Sequence, residues 1–149
     1  MIEANIEGTG SMFVFPSFKH EEGEIERVQA HFQINTENFV QKFLERALQE
    51  KLVKLTDDVW DTLENTDSNP SNLARGDWDA VAEHCNAHEV KRDWQSLKTK
   101  MQGGIQLDAP VIARRGRVLH LLSGNTRLMI ARALGKRPEV LIVDITDFQ

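Results

Sequence analysis

The sequence predicts an α+β protein, a helical first half followed by a β–β–α–β second half. Three observations carry that expectation. Apolar residues recur at helical spacing from Glu21 to Met101. The pattern then switches, after Gly104, to short runs rich in Val, Ile and Leu. No flexible linker separates the two parts, so residues 1–149 read as one domain, 1–103 mainly helical and 104–149 the β–β–α–β part.

Taken in order, the opening "MIEANIEGTGSMFVFPSF" is mixed. "MFVFP" reads either as a short edge strand, which Pro16 would end, or as an apolar arm that packs on a partner. Glu21 to Phe32 reads as a short helix with Ile25, Val28 and Phe32 inward. Asn35 or Thr36 then offers a cap, because a side-chain oxygen there accepts from the first amides of a helix. Phe39, Val40, Phe43, Leu44, Ala47, Leu48 and Leu52 form a wide apolar stripe behind it. Thr56 starts another short helix, with Asp57 and Asp58 in the first turn, where the helix dipole favours acids, and with Val59, Trp60 and Leu63 inward.

"ENTDSNPSN", Glu64 to Asn72, is a dense run of turn formers. Trp78, Val81, Ala82 and Cys85 mark the next helix. Val90, Trp94, Leu97 and Met101 mark another, closed by Gly103 and Gly104. "PVIARRGRVLHLL" reads as a hairpin turning at Arg115 and Gly116. Gly124 or Asn125 opens a helix bearing Leu128, Ala131 and Leu134, with Gly135 just past its end and Pro138 beyond. "EVLIVDI" is a final buried strand.

Composition narrows the function classes. A chain of 149 residues with 40% hydrophobic and 28% charged residues is an ordinary soluble mixture. A chain of that length can bury roughly 68–70% of its unfolded surface, enough for a substantial core. The net charge of -5 argues against non-specific DNA binding, which wants a basic face. Cys85 is the single cysteine, so no internal disulfide can form and a reducing compartment fits. No apolar run approaches the roughly 18 residues needed to cross a bilayer. The N-terminus lacks a basic segment ahead of an apolar one, so no secretory leader is expected and the cytoplasm is the expected location.

The stretch "LLSGNTRLMIARALG" carries the chemistry. It sets Ser123, Gly124, Asn125, Thr126 and Arg127 between a strand and a helix. The first amides of a helix lack partners and carry roughly half a positive charge. Gly124 would let a ligand approach the backbone, short polar side chains surround it, and the Arg127 guanidinium matches a phosphate or carboxylate. Together these make an anion site. Arg114, Arg115 and Arg117 on the hairpin would add positive field. The plain alternative is a cap and a tight turn, with Arg127 paired to Asp144 or Glu139.

Residues 104–144 resemble the ParB/sulfiredoxin-like superfamily in its ParB N-terminal, nuclease-like form. The resemblance rests on Gly104, "APVIARRGRVLHLL", "SGNTRLMIARALG" and "RPEVLIVDI", in that order. The chain is also similar to short uncharacterised ParB-like proteins of tailed phages, in which "ENTDS" and "SGNTRLM" are both recognisable; that likeness implies the host cytoplasm and DNA metabolism. In ParB proteins a Gly-Glu-Arg-Arg box holds the triphosphate of CTP. Gly124 matches its glycine and Arg127 its last arginine, while Asn125 and Thr126 replace the middle pair. The resemblance therefore implies a nucleoside triphosphate with Mg²⁺ as ligand, with the loss of the glutamate counting against metal-assisted hydrolysis. In sulfiredoxin the matching loop carries a nucleophilic cysteine where Asn125 stands here, and an amide cannot act as a thiolate. The helix-turn-helix module that usually follows the ParB box is absent from this sequence, so sequence-specific DNA reading is not expected to carry over.

Other candidates are accessory. Glu64, Asp67 and Ser68 are ligand-type groups; if their loop folds over the Arg127 site, Glu64 or Asp67 would hold a divalent ion beside a phosphate, and otherwise the loop merely ends a helix. His120 faces either the pocket or solvent. His84 and His88 share a helical face, but zinc would need further ligands that the sequence does not supply nearby, so no metal site is assigned. Cys85 reads as a small core residue, and Trp60, Trp78 and Trp94 as core. Three functions compete: a nucleotide- or phosphate-binding protein with weak phosphohydrolase or phosphotransferase activity, a non-catalytic interaction module that binds a protein partner or a second copy of itself, and a metal-dependent nuclease. The catalytic residues of any reaction stay unassigned.

Overall fold

A computed structural model describes residues 12–68, 76–87 and 94–149. The chain is mixed α+β. The helices are α1 (Glu22–His31), α2 (Phe39–Ala47), α3 (Asp57–Asp61), α4 (Trp78–Ala87), α5 (Trp94–Gln102) and α6 (Asn125–Leu134). The strands are β1 (Phe13–Val14), β2 (Val53–Lys54), β3 (Leu107–Asp108), β4 (Val111–Arg115), β5 (Val118–Ser123) and β6 (Glu139–Asp144). None of the described helices is long and apolar enough to cross a membrane.

A four-stranded sheet runs in the order β2-β6-β4-β5. The expected hairpin is present: β4 and β5 pair antiparallel, Arg115 against Val118, around a turn at Gly116. After β5 the chain crosses through α6 and returns as β6, parallel to β4 with Ile112 beside Ile142. Both faces of this sheet are covered, which is why its strands read as nearly unbroken apolar runs rather than alternating ones. Ile112, Leu121 and Val140 pack with Trp60, Leu63, Leu128, Ile130 and Ala131 on one face. Val111, Ala113, Leu122, Leu141 and Val143 pack with Ile25, Val28, Phe39 and Phe43 on the other. Strand alternation puts neighbouring residues into different cores, and α6 and α1 close opposite sides.

The N-terminal apolar run docks on its own chain. β1 pairs parallel with β3, Phe13 beside Leu107, and Met12 and Phe13 are buried. Of the two readings of "MFVFP", the short edge strand holds.

Two expectations in the helical half are corrected. Neither Asn35 nor Thr36 caps α2. Its N-cap is Asn38, in a left-handed conformation with no side-chain cap bond. Asn35 and Thr36 instead hold the C-terminus: the Asn35 amide donates to the Gln149 carbonyl at 2.7 Å, and Thr36 Oγ1 accepts the Gln149 amide at 3.0 Å. The apolar stripe also ends early. Phe39, Phe43 and Ala47 are buried, but Leu48 is 70% exposed, because α2 stops at Ala47. Val53 and Lys54, just beyond, form β2 and pair antiparallel with Val140 and Glu139 of β6. A two-residue strand shows no periodicity, so only the waiting edge of β6 reveals it.

Elsewhere the pattern holds. Trp60 and Leu63 are buried behind α3. Gly135 ends α6 in the left-handed region, φ 75°, with the Lys136 amide donating to the Ala131 carbonyl at 3.0 Å. Cys85 packs in a small core with Val81, Met129 and Ala133, and burial pushes its thiol pKa up, as suits an inert core residue. His88 and Val90 lie outside the described residues.

Candidate anion cleft and its histidine flank

β5 delivers Ser123 to the start of α6, and Gly124 makes the turn between them at φ 106°. Its glycine is required for a reason the sequence does not show. A Cβ there would stand 2.7 Å from Pro110 Cβ and 2.8 Å from Pro110 Cα. The missing side chain makes room for Pro110, just before β4, rather than for a ligand. Gly124 stands at the N-cap and brings no side chain to the first amides of α6, where the helix dipole is positive.

A cleft of about 890 Å³ opens at this junction, with Ser123, Gly124, Asn125, Thr126 and Arg127 all on its wall. The "ENTDS" loop forms the facing wall through Asn65, Thr66 and Asp67. It is held there by bonds at each of its residues. The Glu64 amide donates to the Leu119 carbonyl at 2.8 Å, and the Leu121 amide to the Glu64 carbonyl at 3.0 Å. Asn65, left-handed at φ 64°, donates from Nδ2 to the Leu121 carbonyl at 2.8 Å. Asn125 Oδ1 accepts Thr66 Oγ1–H at 2.8 Å and the Asp67 amide at 2.9 Å, and its Nδ2 donates to the Asp67 carboxylate at 3.2 Å. The Asn125 side chain thus fastens the loop to the helix start.

The remaining candidates fall into place around this. Arg127 is buried, 7% exposed, and its Nη1 donates to the Asp108 carbonyl. Ser68 is wholly buried behind the loop. Its Oγ accepts Trp60 Nε1–H at 2.8 Å and its carbonyl accepts Arg132 Nε–H at 3.0 Å, so it supports the loop from inside instead of facing a ligand. Asp67 reaches His84 Nε2 at 3.3 Å, which ties α4 to the loop. Arg114, Arg115 and Arg117 sit at the hairpin tip, at the opposite end of β5 from Ser123; Arg114 and Arg117 line a separate hollow, and Arg115 donates to the Phe148 carbonyl at 3.0 Å. The positive field they were expected to supply comes instead from Arg27 of α1, which the sequence reading missed. His20, Glu21 and Glu24 join it on the wall, so the cleft is a mixed-charge site with acids as well as guanidinium groups.

The Ser123 hydroxyl is buried and meets no hydrogen-bond partner among the described residues. Buried polar atoms are nearly always satisfied, so an orphan on the wall of a cleft marks a place for a ligand or water.

His120 and Glu64 lie beside this cleft, not in it. Their main chains are bridged in parallel fashion, and His120 Nδ1 is 3.4 Å from Glu64 Oε1. His31, the last residue of α1, stacks on the His120 ring at a centroid distance of 4.1 Å, with Phe32 edge-on to both rings. Burial pushes the His120 imidazole below its ordinary 6.5; the Glu64 bond pulls the other way, and His31 adds to the lowering. His31 carried no sequence signal, because its partners are far away along the chain.

No family model matches this chain, and neither do any curated protein or solved structure.

Proposed function

We propose that the chain is a phosphate-binding protein, with a nucleotide and Mg²⁺ as the ligand, built on a ParB/sulfiredoxin-like arrangement of β4, β5, α6 and β6. The observation that carries the reading is the meeting of a helix start with glycine at its N-cap, the orphan Ser123 hydroxyl, Arg27 and the buried Arg127 on the lining of one cleft. Its volume of about 890 Å³ suits a nucleotide-sized ligand, since small-molecule sites run from roughly 300 to 1,000 Å³. The sequence likeness supports the same place: Gly124 and Arg127 stand at the box positions. Glu21, Glu24 and Asp67 would repel a bare phosphate, and a metal-phosphate complex answers that repulsion. The same acids count against a nuclease, which needs a basic path for the nucleic-acid backbone. The interaction module keeps only part of its apolar arm, since Met12 and Phe13 dock in the chain's own core while Val14 and Phe15 stay exposed.

Scanning calorimetry with CTP, ATP and GTP, with and without Mg²⁺, tests this. A nucleotide at 100 times its Kd stabilises by about 2.7 kcal/mol, or roughly 5–10 °C in a chain of this size. The effect should shrink in Arg27→Ala, whose side chain is 80% exposed and whose 2.9 Å pair with Glu24 adds little to stability. A flat response to all three nucleotides ends the proposal. Release of inorganic phosphate in the same samples decides whether binding leads to turnover.

A further inference from the structure

We propose that His31, Glu64 and His120 form a binding site for one divalent transition-metal ion of the zinc class, at the flank of the anion cleft. One donor atom from each residue lies within 4.8 Å of the others. Glu64 Oε1 is 3.4 Å from His120 Nδ1 and 3.9 Å from His31 Nε2. With metal–ligand bonds of roughly 2.0–2.1 Å, neighbouring donors of a tetrahedral ion stand about 3.4 Å apart. The Glu64–His120 edge already has that length; the two edges to His31, whose side chain is 48% exposed, close when its ring turns out of the stack on His120 and aims its nitrogen at the ion. Among the described residues, no other group of three His, Cys, Asp or Glu brings its donors this close.

The site is built, not incidental. Glu64 is locked to β5 by its two main-chain bonds on either side of His120. The His120 side chain is 12% exposed, held between Phe32 and the His31 ring. Two imidazoles with one carboxylate select zinc, cobalt, nickel or iron over magnesium or calcium, which prefer oxygen. Three protein ligands leave a coordination position for water, and the site adjoins a hollow of about 290 Å³ that shares Glu24, Arg27 and Asn65 with the larger cleft. A metal there would set a Lewis acid beside the phosphate site.

Titration of the tag-free, EDTA-treated chain with Co²⁺, in the absence of any nucleotide, tests the site. The expected result is one ion per chain with visible d–d absorption, displaced by Zn²⁺. His31→Ala and Glu64→Gln alter half-exposed side chains and should fold as the parent does by circular dichroism; each should weaken Co²⁺ at least tenfold, as should His120→Ala. His84→Ala should leave binding unchanged. Absence of Co²⁺ uptake at micromolar protein overturns the proposal. So does binding that survives His31→Ala and Glu64→Gln, or binding lost in His84→Ala. Because no nucleotide is present, failure here leaves the phosphate reading standing, and failure of the nucleotide scan leaves this one.

Discussion

Asn125 holds Asp67 by both ends of its amide: Oδ1 accepts the Asp67 backbone N–H at 2.9 Å, and Nδ2 donates to the Asp67 carboxylate at 3.2 Å. Asn125 is therefore the clasp between the cleft's two walls. Asn125→Ala should cost about 1–3 kcal/mol, since it strands the Asp67 amide and removes one of the Thr66 hydroxyl's bonds. Urea unfolding reads that loss, and faster hydrogen exchange at residues 66–68 locates it. Asn125→Asp should be better tolerated near pH 4 than at pH 7, because two carboxylates then face each other and repel once both ionise.

Gly124 and Gly116 both sit at positive φ, 106° and 62°, but only Gly124 is crowded. Gly116→Ala meets nothing within 4 Å and should cost about 1–2 kcal/mol for the left-handed backbone alone. Gly124→Ala adds a collision with Pro110, and overpacking of that kind costs a further 1–3 kcal/mol or so. The urea midpoints of the two variants should separate accordingly. Equal midpoints would mean that Pro110 gives way.

Phe43 and Leu48 belong to one apolar stripe in the sequence, and the fold divides them. Phe43→Ala empties a fully buried position between α2 and the sheet and should cost about 3–5 kcal/mol. Leu48→Ser, at a side chain 70% exposed, should change stability by no more than about 0.5 kcal/mol. Thermal unfolding of the pair checks the boundary of α2.

Acid sensitivity should come partly from the C-terminal turn. The Thr146 hydroxyl and amide, at 2.5 and 2.9 Å, hold the Asp144 carboxyl below its ordinary 3.8, and the Arg46 guanidinium does the same for Asp147. Each carboxylate binds a proton less readily folded than unfolded. Its stabilisation is therefore present above about pH 3.8 and is lost as pH falls through the depressed folded value. Thr146→Val should flatten the fall of Tm between pH 5 and pH 2 compared with the parent chain. An unchanged slope would place the acid sensitivity elsewhere.

Much of the architecture was legible because hydrophobic period reports local structure. The stripes of α1, α2 and α6, the hairpin at Gly116 and the final strand all follow from which side chains must face inward. The junction from Ser123 to Arg127 was legible too, since a strand running into a glycine and a helix start is a local event. The glycine's reason was not, because Pro110 approaches from the segment between β3 and β4. Nor was the role of Ser68, whose polarity suggested a ligand but whose hydroxyl serves a buried indole.

Unaided, the sequence determined the order and kind of the larger elements and the place of the helix start, both of which depend on neighbours a few residues apart. Tertiary structure decided which elements meet. It made β2 a strand by offering it the edge of β6, brought Arg27 to the cleft in place of the hairpin arginines, and set His31 against His120 and Glu64. Those meetings join residues from separate elements, and only the packing of helices on both sheet faces brings them together.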